Sequence, residues 1–272
     1  MISILNGHCE VTWPYISDTG VHIPESCIFS QLLNIVSVLI AFTIVVRYKQ
    51  VEQQCCDNLM PNANDIFKLN KIAMFLGLLS AAGLSVVANF QELQLFTIHM
   101  IGAVSAFGFG LLYCMAQTRL TYSMRTIMTS GLCLARCRLA LTVLLAITFF
   151  SSIIFGPISI RYFHGTDTTN WKPGDGGYIF HVISSVCEWI SALSIDFFIL
   201  SFVHEFKLMS ISSPKFYIIS TVPARLEAPE DAEDVNYGVA NVITSDSFTT
   251  SRAANTQIGS SSQVRTQTRL VR

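Results

Sequence analysis

The 272-residue chain is rich in apolar residues and poor in charged ones. Apolar residues make up 51% and charged residues 13%, against roughly 25% charged residues in soluble domains, which argues against a soluble all-helical protein. The net charge is −1 and no basic stretch is interleaved with aromatic residues, so we expect no nucleic-acid partner.

Residues 1–27 are predicted to form a polar, turn-rich segment outside the membrane. Proline and glycine set its turns, and a proline followed by an acid is typical of the first turn of a helix. The residues of this motif are Pro14, Tyr15, Ile16, Ser17, Asp18, Thr19, Gly20, Pro24 and Glu25.

Five apolar stretches follow, each long enough to cross a bilayer, which takes about 20 residues. They are apolar all round rather than on one face. The predicted spans are approximately 28–46, 72–90, 96–116, 139–160 and 178–203. We therefore predict an all-α fold, a polytopic membrane bundle of five transmembrane helices within residues 28–206.

Lysine and arginine predict the orientation, because they concentrate on the cytosolic side. No Lys or Arg precedes the first span or lies in 91–95, whereas several lie in 47–71 and 117–138. The amino terminus is therefore predicted to be luminal and the carboxyl terminus cytosolic. Residues 207–272 change from acidic to Ser/Thr-rich and hold few large apolar residues, so we predict a mostly disordered cytosolic tail.

The cysteines do not have the paired spacing of a zinc site. Cys9 and Cys27 both fall on the predicted luminal side, where they are candidates for a disulfide. Cys55 and Cys56 are predicted to be cytosolic and close to the membrane, which makes them candidates for palmitoylation. The alternative is that both are ordinary reduced thiols.

Polar residues form a stripe on the last span, at His181, Ser184, Ser185 and Glu188. A charge at the bilayer centre costs about 2.5–3.5 kcal/mol. Because no predicted span holds a Lys or Arg to pair with Glu188, we expect it to be protonated or hydrogen-bonded to Asn34 or the serines. The stripe is then either a site for a proton, ion or polar substrate or a satisfied interhelical hydrogen bond.

Two histidines, His99 and His181, are predicted near the luminal surface with Asn89, Glu92, Asp18 and Glu25. Such residue types suit a metal-dependent hydrolase. No H-x-x-x-H motif accompanies them, and a histidine at a membrane interface is usually solvated. We therefore expect no catalytic site, no metal site and no cofactor.

Small residues line one face of the second and third spans, at Gly77, Ala81, Gly102, Ala106 and Gly110. Such faces allow helix backbones to approach closely. With only residues 91–95 between the two spans, packing within one chain is favoured over a dimer seam.

The motif of residues 14–20, with Pro24 and Glu25, resembles the damage-regulated autophagy modulator (DRAM) family. The resemblance extends from residue 13 to about 212. Its further matching segments are 46–49, 87–93, 171–173, 181–182, 187–189 and 205–206.

The resemblance implies a multi-pass protein, mainly of lysosomal membranes, that promotes autophagy and takes part in damage-induced cell death. Members of the family have six helices, the first lying before the motif. This sequence has only 13 residues there, so we expect that it lacks the family's first helix, as an incomplete or alternative gene product would.

We hypothesise a non-enzymatic regulator of autophagy, and of damage-induced apoptosis, at lysosomal membranes. Its expected partners are the lipid bilayer and membrane or cytosolic proteins that the sequence does not identify. The alternative hypothesis is a proton-coupled transporter or lipid-handling membrane protein that uses Glu188 and His181.

Overall fold

The computed structural model describes residues 2–6, 8, 13–58, 62–125 and 131–210. These residues form helices and turns and include no strand. In chain order the elements are α1 (Ile2–Leu5), a 3-10 turn (Ser17–Gly20), α2 (Glu25–Asp57), α3 (Ala63–Asn89), α4 (Phe96–Ser123), α5 (Gly131–Tyr162), α6 (Tyr178–Leu200) and α7 (Val203–Phe206).

The five long helices, α2 to α6, confirm the predicted all-α bundle. Each is long and apolar enough to cross a membrane, the last together with α7. The helices extend beyond the predicted spans, because residues such as Glu52, Gln53 and Gln54 favour helix even where the sequence is no longer apolar. The predicted tail, from residue 211 onward, lies outside the described residues.

Large apolar side chains cover the outside of the bundle. On α2, Val38, Leu39 and Phe42 are 67%, 58% and 62% exposed. A water-soluble protein rarely exposes contiguous apolar surface on this scale, whereas lipid tails solvate it without cost. The chain is therefore a multi-pass membrane protein.

Glycines bring α3 and α4 into close contact. A Cβ atom on Gly83 would lie 2.6 Å from the backbone nitrogen of Ala106, and one on Gly102 would lie 2.8 Å from Cγ1 of Val86. Neither position has room for a side chain. Gly83 and Gly102 thus pack the two helices of one chain as a hairpin, as expected from their short connection, whereas Gly77 of the predicted face lies nearest to Ile44 of α2.

Hydroxyl groups add hydrogen bonds between helices. Ser37 on α2 donates to the carbonyl oxygen of Ala81 on α3 at 2.7 Å, and Ser80 on α3 donates to that of Ala106 on α4 at 2.6 Å. Between α5 and α6, the Oγ1 atom of Thr148 lies 2.8 Å from the Oγ atom of Ser191. Bonds of this kind hold helices together where no hydrophobic effect operates.

The bundle has two polar ends. At the first, which we call the motif end, residues 13–20 meet the α3–α4 connection and the start of α6. At the second, which we call the triad end, Arg47 of α2, Arg138 of α5 and Glu205 of α7 form buried ion pairs.

Candidate functional site

The motif segment lies against α6 and is fixed there by backbone carbonyl groups. The carbonyl oxygen of Trp13 accepts a hydrogen bond from the Ser185 hydroxyl at 2.6 Å. The carbonyl oxygen of Pro14 accepts one from Nε1 of Trp189 at 2.9 Å. The predicted stripe on α6 therefore serves in part to hold the motif.

Asp18 organises the turn of the motif. Its Oδ2 atom accepts a hydrogen bond from the Tyr15 backbone amide at 3.1 Å, and its side chain is buried. Burial raises the pKa of Asp18 well above its ordinary value, and the nearby Glu92 carboxylate raises it further. The carboxyl group thus favours its neutral form in the folded protein.

Tyr15 inserts its ring between α5 and α6. Its hydroxyl group interacts with Ser184 and Ser159, and burial raises its pKa to about 12, so the phenol keeps its proton. Its ring meets the His181 imidazole edge-on, with 4.9 Å between the centroids.

The α5–α6 connection covers His181 from the other side. The Trp171 ring stacks on the imidazole with 4.3 Å between centroids, and its Nε1 atom donates to the Thr168 carbonyl oxygen at 2.7 Å. Gly177 permits the turn into α6, because its φ is +82° and a Cβ atom there would lie 2.5 Å from the Ser159 carbonyl oxygen. His181 is packed between two aromatic rings and is only 2% exposed, which indicates a structural role.

A cavity of about 450 Å³ lies below the motif, between α4, α5 and α6. Its volume falls within the range of small-molecule sites, about 300–1,000 Å³. Most of its lining is apolar, and Tyr15 and Ser17 of the motif border it. The polar lining residues are Tyr15, Ser17, Glu92, His99, Ser152, Ser184, Glu188 and Ser191.

Glu188 is the residue of the predicted stripe with the clearest opening for a ligand. It lines the cavity, and its carboxyl group interacts with the Ile16 backbone amide. Its Oε2 atom is buried and has no hydrogen-bond partner among the described residues. A buried carboxyl oxygen without a partner is costly unless a ligand, proton or water satisfies it.

His99 and Ser184 line this cavity together with Glu188. The Nδ1 atom of His99 hydrogen-bonds the Phe90 carbonyl oxygen at 2.7 Å. Ser184 lies 3.2 Å, oxygen to oxygen, from the Ser152 hydroxyl. Four elements thus converge on one space: the motif, α4, α5 and α6.

Asn34 requires a correction to the predicted site. Its side chain bonds α3 rather than Glu188: its Nδ2 atom donates to Asn89 at 3.0 Å and its Oδ1 atom accepts from Ser85 at 2.7 Å. It forms a separate polar contact between α2 and α3. The reason is helix order, since α2 packs beside α3 whereas α6 packs beside α5.

The acidic residues expected near the histidines are distributed over two contacts. Glu92 accepts a hydrogen bond from the Ser17 hydroxyl at 2.6 Å, which ties the motif to the α3–α4 connection. Glu25 pairs with Asn6 and His8 at 2.6 and 3.2 Å. Within the part of the chain that the structure describes, no three His, Cys, Asp or Glu side chains are grouped as a metal would need.

The candidate modification sites differ in exposure. Cys55 is buried in the helical core, whereas Cys56 is exposed, so Cys56 is the better placed for palmitoylation. Cys27 is also exposed. Its predicted disulfide partner, Cys9, lies outside the described residues.

The triad end holds a buried ion network that the sequence did not reveal. Glu205 Oε2 lies 2.9 Å from Nη1 of Arg47 and 2.6 Å from Nη2 of Arg138. Both guanidinium groups are fully buried, and the Phe202 ring lies 5.0 and 4.7 Å from their central carbons. The triad joins α2 and α5 to α7.

Polar side chains complete the network around the two arginines. Arg47 donates to Gln50 at 2.7 Å and to Gln117 at 3.2 Å. Arg138 donates to Thr121 and Ser201, both at 2.9 Å. The sequence predicts Arg47 and Arg138 only as charges that flank the apolar stretches, and their positions next to those stretches are a signal of partial burial.

The arrangement as a whole can be compared with known proteins. The sequence model of the Frag1/DRAM/Sfk1/Cwh43P N-terminal domain matches residues 1–209. The chain belongs to this family. The family resemblance seen in the sequence is therefore confirmed, and the match contains all of the polar sites described above.

Relatives within the Frag1/DRAM/Sfk1/Cwh43P family carry names that refer to autophagy. Human DNA damage-regulated autophagy modulator protein 2 is 40% identical over 207 residues, which cover 75% of this chain and 76% of the relative. Human DNA damage-regulated autophagy modulator protein 1 is 32% identical, with 78% and 84% covered. Modulator of macroautophagy TMEM150B-B of Xenopus laevis is 27% identical, with 71% of each chain covered. No solved structure matches significantly.

The segments that carry the family resemblance meet at the two polar ends. Residues of 14–20, 87–93, 171–173 and 187–189 make contacts at the motif end. Arg47 and Glu205, from 46–49 and 205–206, pair with each other at the triad end. This family member thus uses those residues to position the motif and the helix ends.

Proposed function

We propose that this protein is a non-enzymatic regulator of autophagy in lysosomal membranes, with an additional role in damage-induced cell death. The observation that carries the proposal is the 40% identity to an autophagy modulator, extending over 75% of the chain. The five-helix bundle supplies a membrane setting in which such a regulator would act through lipids and protein partners.

The geometry supports a binding or scaffolding role over catalysis. The best-formed site is an apolar cavity with a few polar groups at one end, which is a typical ligand-binding arrangement. His181 is enclosed by Tyr15 and Trp171, so its imidazole is poorly placed to act on a substrate. These contacts hold the motif and the α5–α6 connection against α6 and do not pair a nucleophile with a base.

Autophagic flux in cells tests the proposed role. The chain would be restored to cells that lack it, and turnover of an autophagosome marker would be compared with and without block of lysosomal degradation. We expect the intact chain to raise turnover and to fractionate with lysosomal membranes. Unchanged flux at normal expression, or residence only in the plasma membrane, would contradict the proposal.

A cavity variant and a matched control separate function from folding in this assay. Val104 lines the cavity and Leu112 does not, although both are exposed apolar residues of α4. If regulation depends on the cavity, Val104→Trp lowers flux while Leu112→Trp does not. Equal abundance in the membrane fraction shows that both variants fold.

A proton-coupled transporter is the second candidate, favoured by the unpartnered Oε2 atom of Glu188. Intramembrane carboxyl groups often carry protons in transporters. Purified protein in liposomes would then acidify the lumen on substrate addition, and Glu188→Gln would abolish that signal. If the protein regulates autophagic flux but shows no such proton uptake, the result would favour the non-transporting role.

A further inference from the structure

The cavity opens sideways towards the membrane as well as towards the motif. Five of its lining residues are also large exposed apolar residues: Phe96, Met100 and Val104 of α4 and Ile153 and Ile160 of α5, which are between 39% and 52% exposed. A molecule dissolved in the bilayer therefore has an entry between α4 and α5. This opening favours an amphiphile that partitions into lipid over a water-soluble metabolite.

The polar end of the cavity is suited to a hydrogen-bond donor of positive charge. The acidic side chains in its lining are Glu92 and Glu188, and the described lining includes no Lys or Arg. One oxygen of Glu92 already accepts from Ser17, whereas Oε2 of Glu188 is buried and unpartnered. A protonated amine in the cavity would supply a donor and a compensating charge to the Glu188 carboxyl group, which lines it.

The apolar part of the cavity limits what else could enter. Phe107, Phe149 and Ser191 also line the cavity, so an alkyl or ring body would be in contact with aromatic side chains there. The cavity volume of about 450 Å³ is that of a small-molecule site, whereas an α-helix with its side chains is about 10–12 Å across. A helix of a partner protein is therefore a poor occupant.

We propose that this cavity binds a membrane-dissolved amphiphile with a primary or secondary amine head, which the Glu188 carboxyl group receives while the apolar body lies between α4 and α5. The inference does not depend on the role in autophagy. It assigns a ligand class to a site whose residues otherwise leave a buried oxygen unsatisfied.

Photo-crosslinking tests the ligand class directly. The full chain would be placed in phosphatidylcholine nanodiscs and exposed to three probes that share one alkyl chain with a photoreactive group. Their head groups are a primary amine, an alcohol and a carboxylate. We expect the amine probe to label peptides of α4, α5 and α6, and the carboxylate probe to label them about tenfold less.

Two pairs of variants connect the label to the cavity. Glu188→Gln should lower amine labelling about tenfold, whereas Asp196→Asn, which lies on the same helix away from the cavity lining, should not. Val104→Trp should block all probes, whereas Leu112→Trp should not. Monodisperse elution and thermal unfolding establish that each variant is folded.

Each remaining outcome counts against the inference. Equal labelling by the three probes would overturn recognition of the amine and would show an apolar site without head-group selectivity. Labelling that survives Val104→Trp would place the probe elsewhere on the membrane-facing surface. If Glu188→Gln does not fold, the Val104→Trp pair and the head-group series decide the question.

Discussion

Glu205 balances two guanidinium groups at the triad end and is the residue on which that end most depends. A buried ion pair gives little net stability, but removing one partner leaves an uncompensated charge. Here the loss of Glu205 would remove the carboxylate that pairs with both Arg47 and Arg138. The amide and hydroxyl groups that accept hydrogen bonds from the two arginines carry no charge.

We therefore predict that Glu205→Ala destabilises the folded bundle by about 3–5 kcal/mol. Thermal unfolding in detergent, followed as the fraction of monodisperse protein, measures the effect. Glu52→Ala is the control: its pair with Lys49 at 2.7 Å is solvent-accessible, so its loss should cost less than about 1 kcal/mol. Similar losses in the two variants would show that the triad does not hold the bundle together.

Asp18 gives the motif end a dependence on pH. Because burial raises the pKa of the folded state above the ordinary value, the neutral carboxyl group stabilises folding. This contribution is fully present below the ordinary pKa and is lost as pH rises through the raised one. The acidic groups Glu92, Glu188 and Asp167 also raise the pKa of Asp18, whereas the hydrogen bond from the Tyr15 backbone amide lowers it without reversing the direction.

We expect Asp18→Asn to remove this dependence. The amide keeps an oxygen for the Tyr15 backbone amide but does not ionise, so the variant should equal the wild type in acid and exceed it at neutral pH. Protease cleavage within residues 13–20, measured over a pH series, reports the stability of the segment. If the two proteins respond identically to pH, another group controls the motif.

Individual polar residues were predicted with uneven success, for a physical reason. The stripe of His181, Ser184, Ser185 and Glu188 could be found because helical spacing is a local property. The separation of Asn34 from Glu188 and the ion pair between Arg47 and Glu205 both depend on which helices are neighbours. Neighbour relations over such distances are set by tertiary packing, which a single sequence does not record.

At the scale of elements, the α3–α4 hairpin depends on glycines that face backbone. We predict that Gly83→Ala destabilises the bundle by about 1–3 kcal/mol, because its Cβ atom would meet the Ala106 nitrogen and separate the helices. Thermal unfolding in detergent measures this loss of stability. Gly108→Ala is the matched control on α4, where the nearest atom is Cζ of Phe149 at 3.5 Å.

Gly108→Ala should be neutral or slightly stabilising, since alanine favours helix by about 1 kcal/mol over glycine. A stable Gly83→Ala protein would mean that α4 can move away from α3 without loss. An unstable Gly108→Ala protein would show that the whole hairpin is sensitive to added volume. Only a difference between the two supports close backbone approach as the cause.

The number and order of the five long helices could be predicted from the sequence, whereas their lengths could not. Apolar stretches report the residues in contact with lipid tails, so the first predicted span ended at residue 46. The helix itself continues to Asp57, because Val51 and Cys55 pack into the core beyond the apolar stretch. A helix thus continues beyond its apolar stretch where its residues pack against a neighbouring helix.

At the scale of the molecule, burial changes the charge argument for orientation. Arg47 and Arg138 are enclosed by the triad and no longer count as free flanking charges. Exposed positive side chains remain at the same end, at Lys49, Lys68, Lys71, Arg119, Arg125 and Arg136. The asymmetry that predicts a cytosolic triad end therefore survives the correction.

One substitution makes the orientation measurable. The sequence contains no Asn-x-Ser/Thr acceptor for glycosylation, and Lys172→Thr creates one at Asn170 in the α5–α6 connection. The side chain of Lys172 is exposed, and only its backbone amide bonds Asp175, so the fold should tolerate the change. If the motif end is luminal, this variant gains a glycan that a glycosidase removes.

Asn64→Thr is the matched control, since it creates an acceptor at Asn62 near the start of α3, at the triad end. Both side chains are exposed, and we expect no glycan there. A glycan on Asn64→Thr and none on Lys172→Thr would reverse the orientation and place the cavity near the cytosol. The amine-bearing ligands that reach Glu188 would then come from the cytosolic leaflet, so the glycosylation pattern also decides which leaflet supplies them.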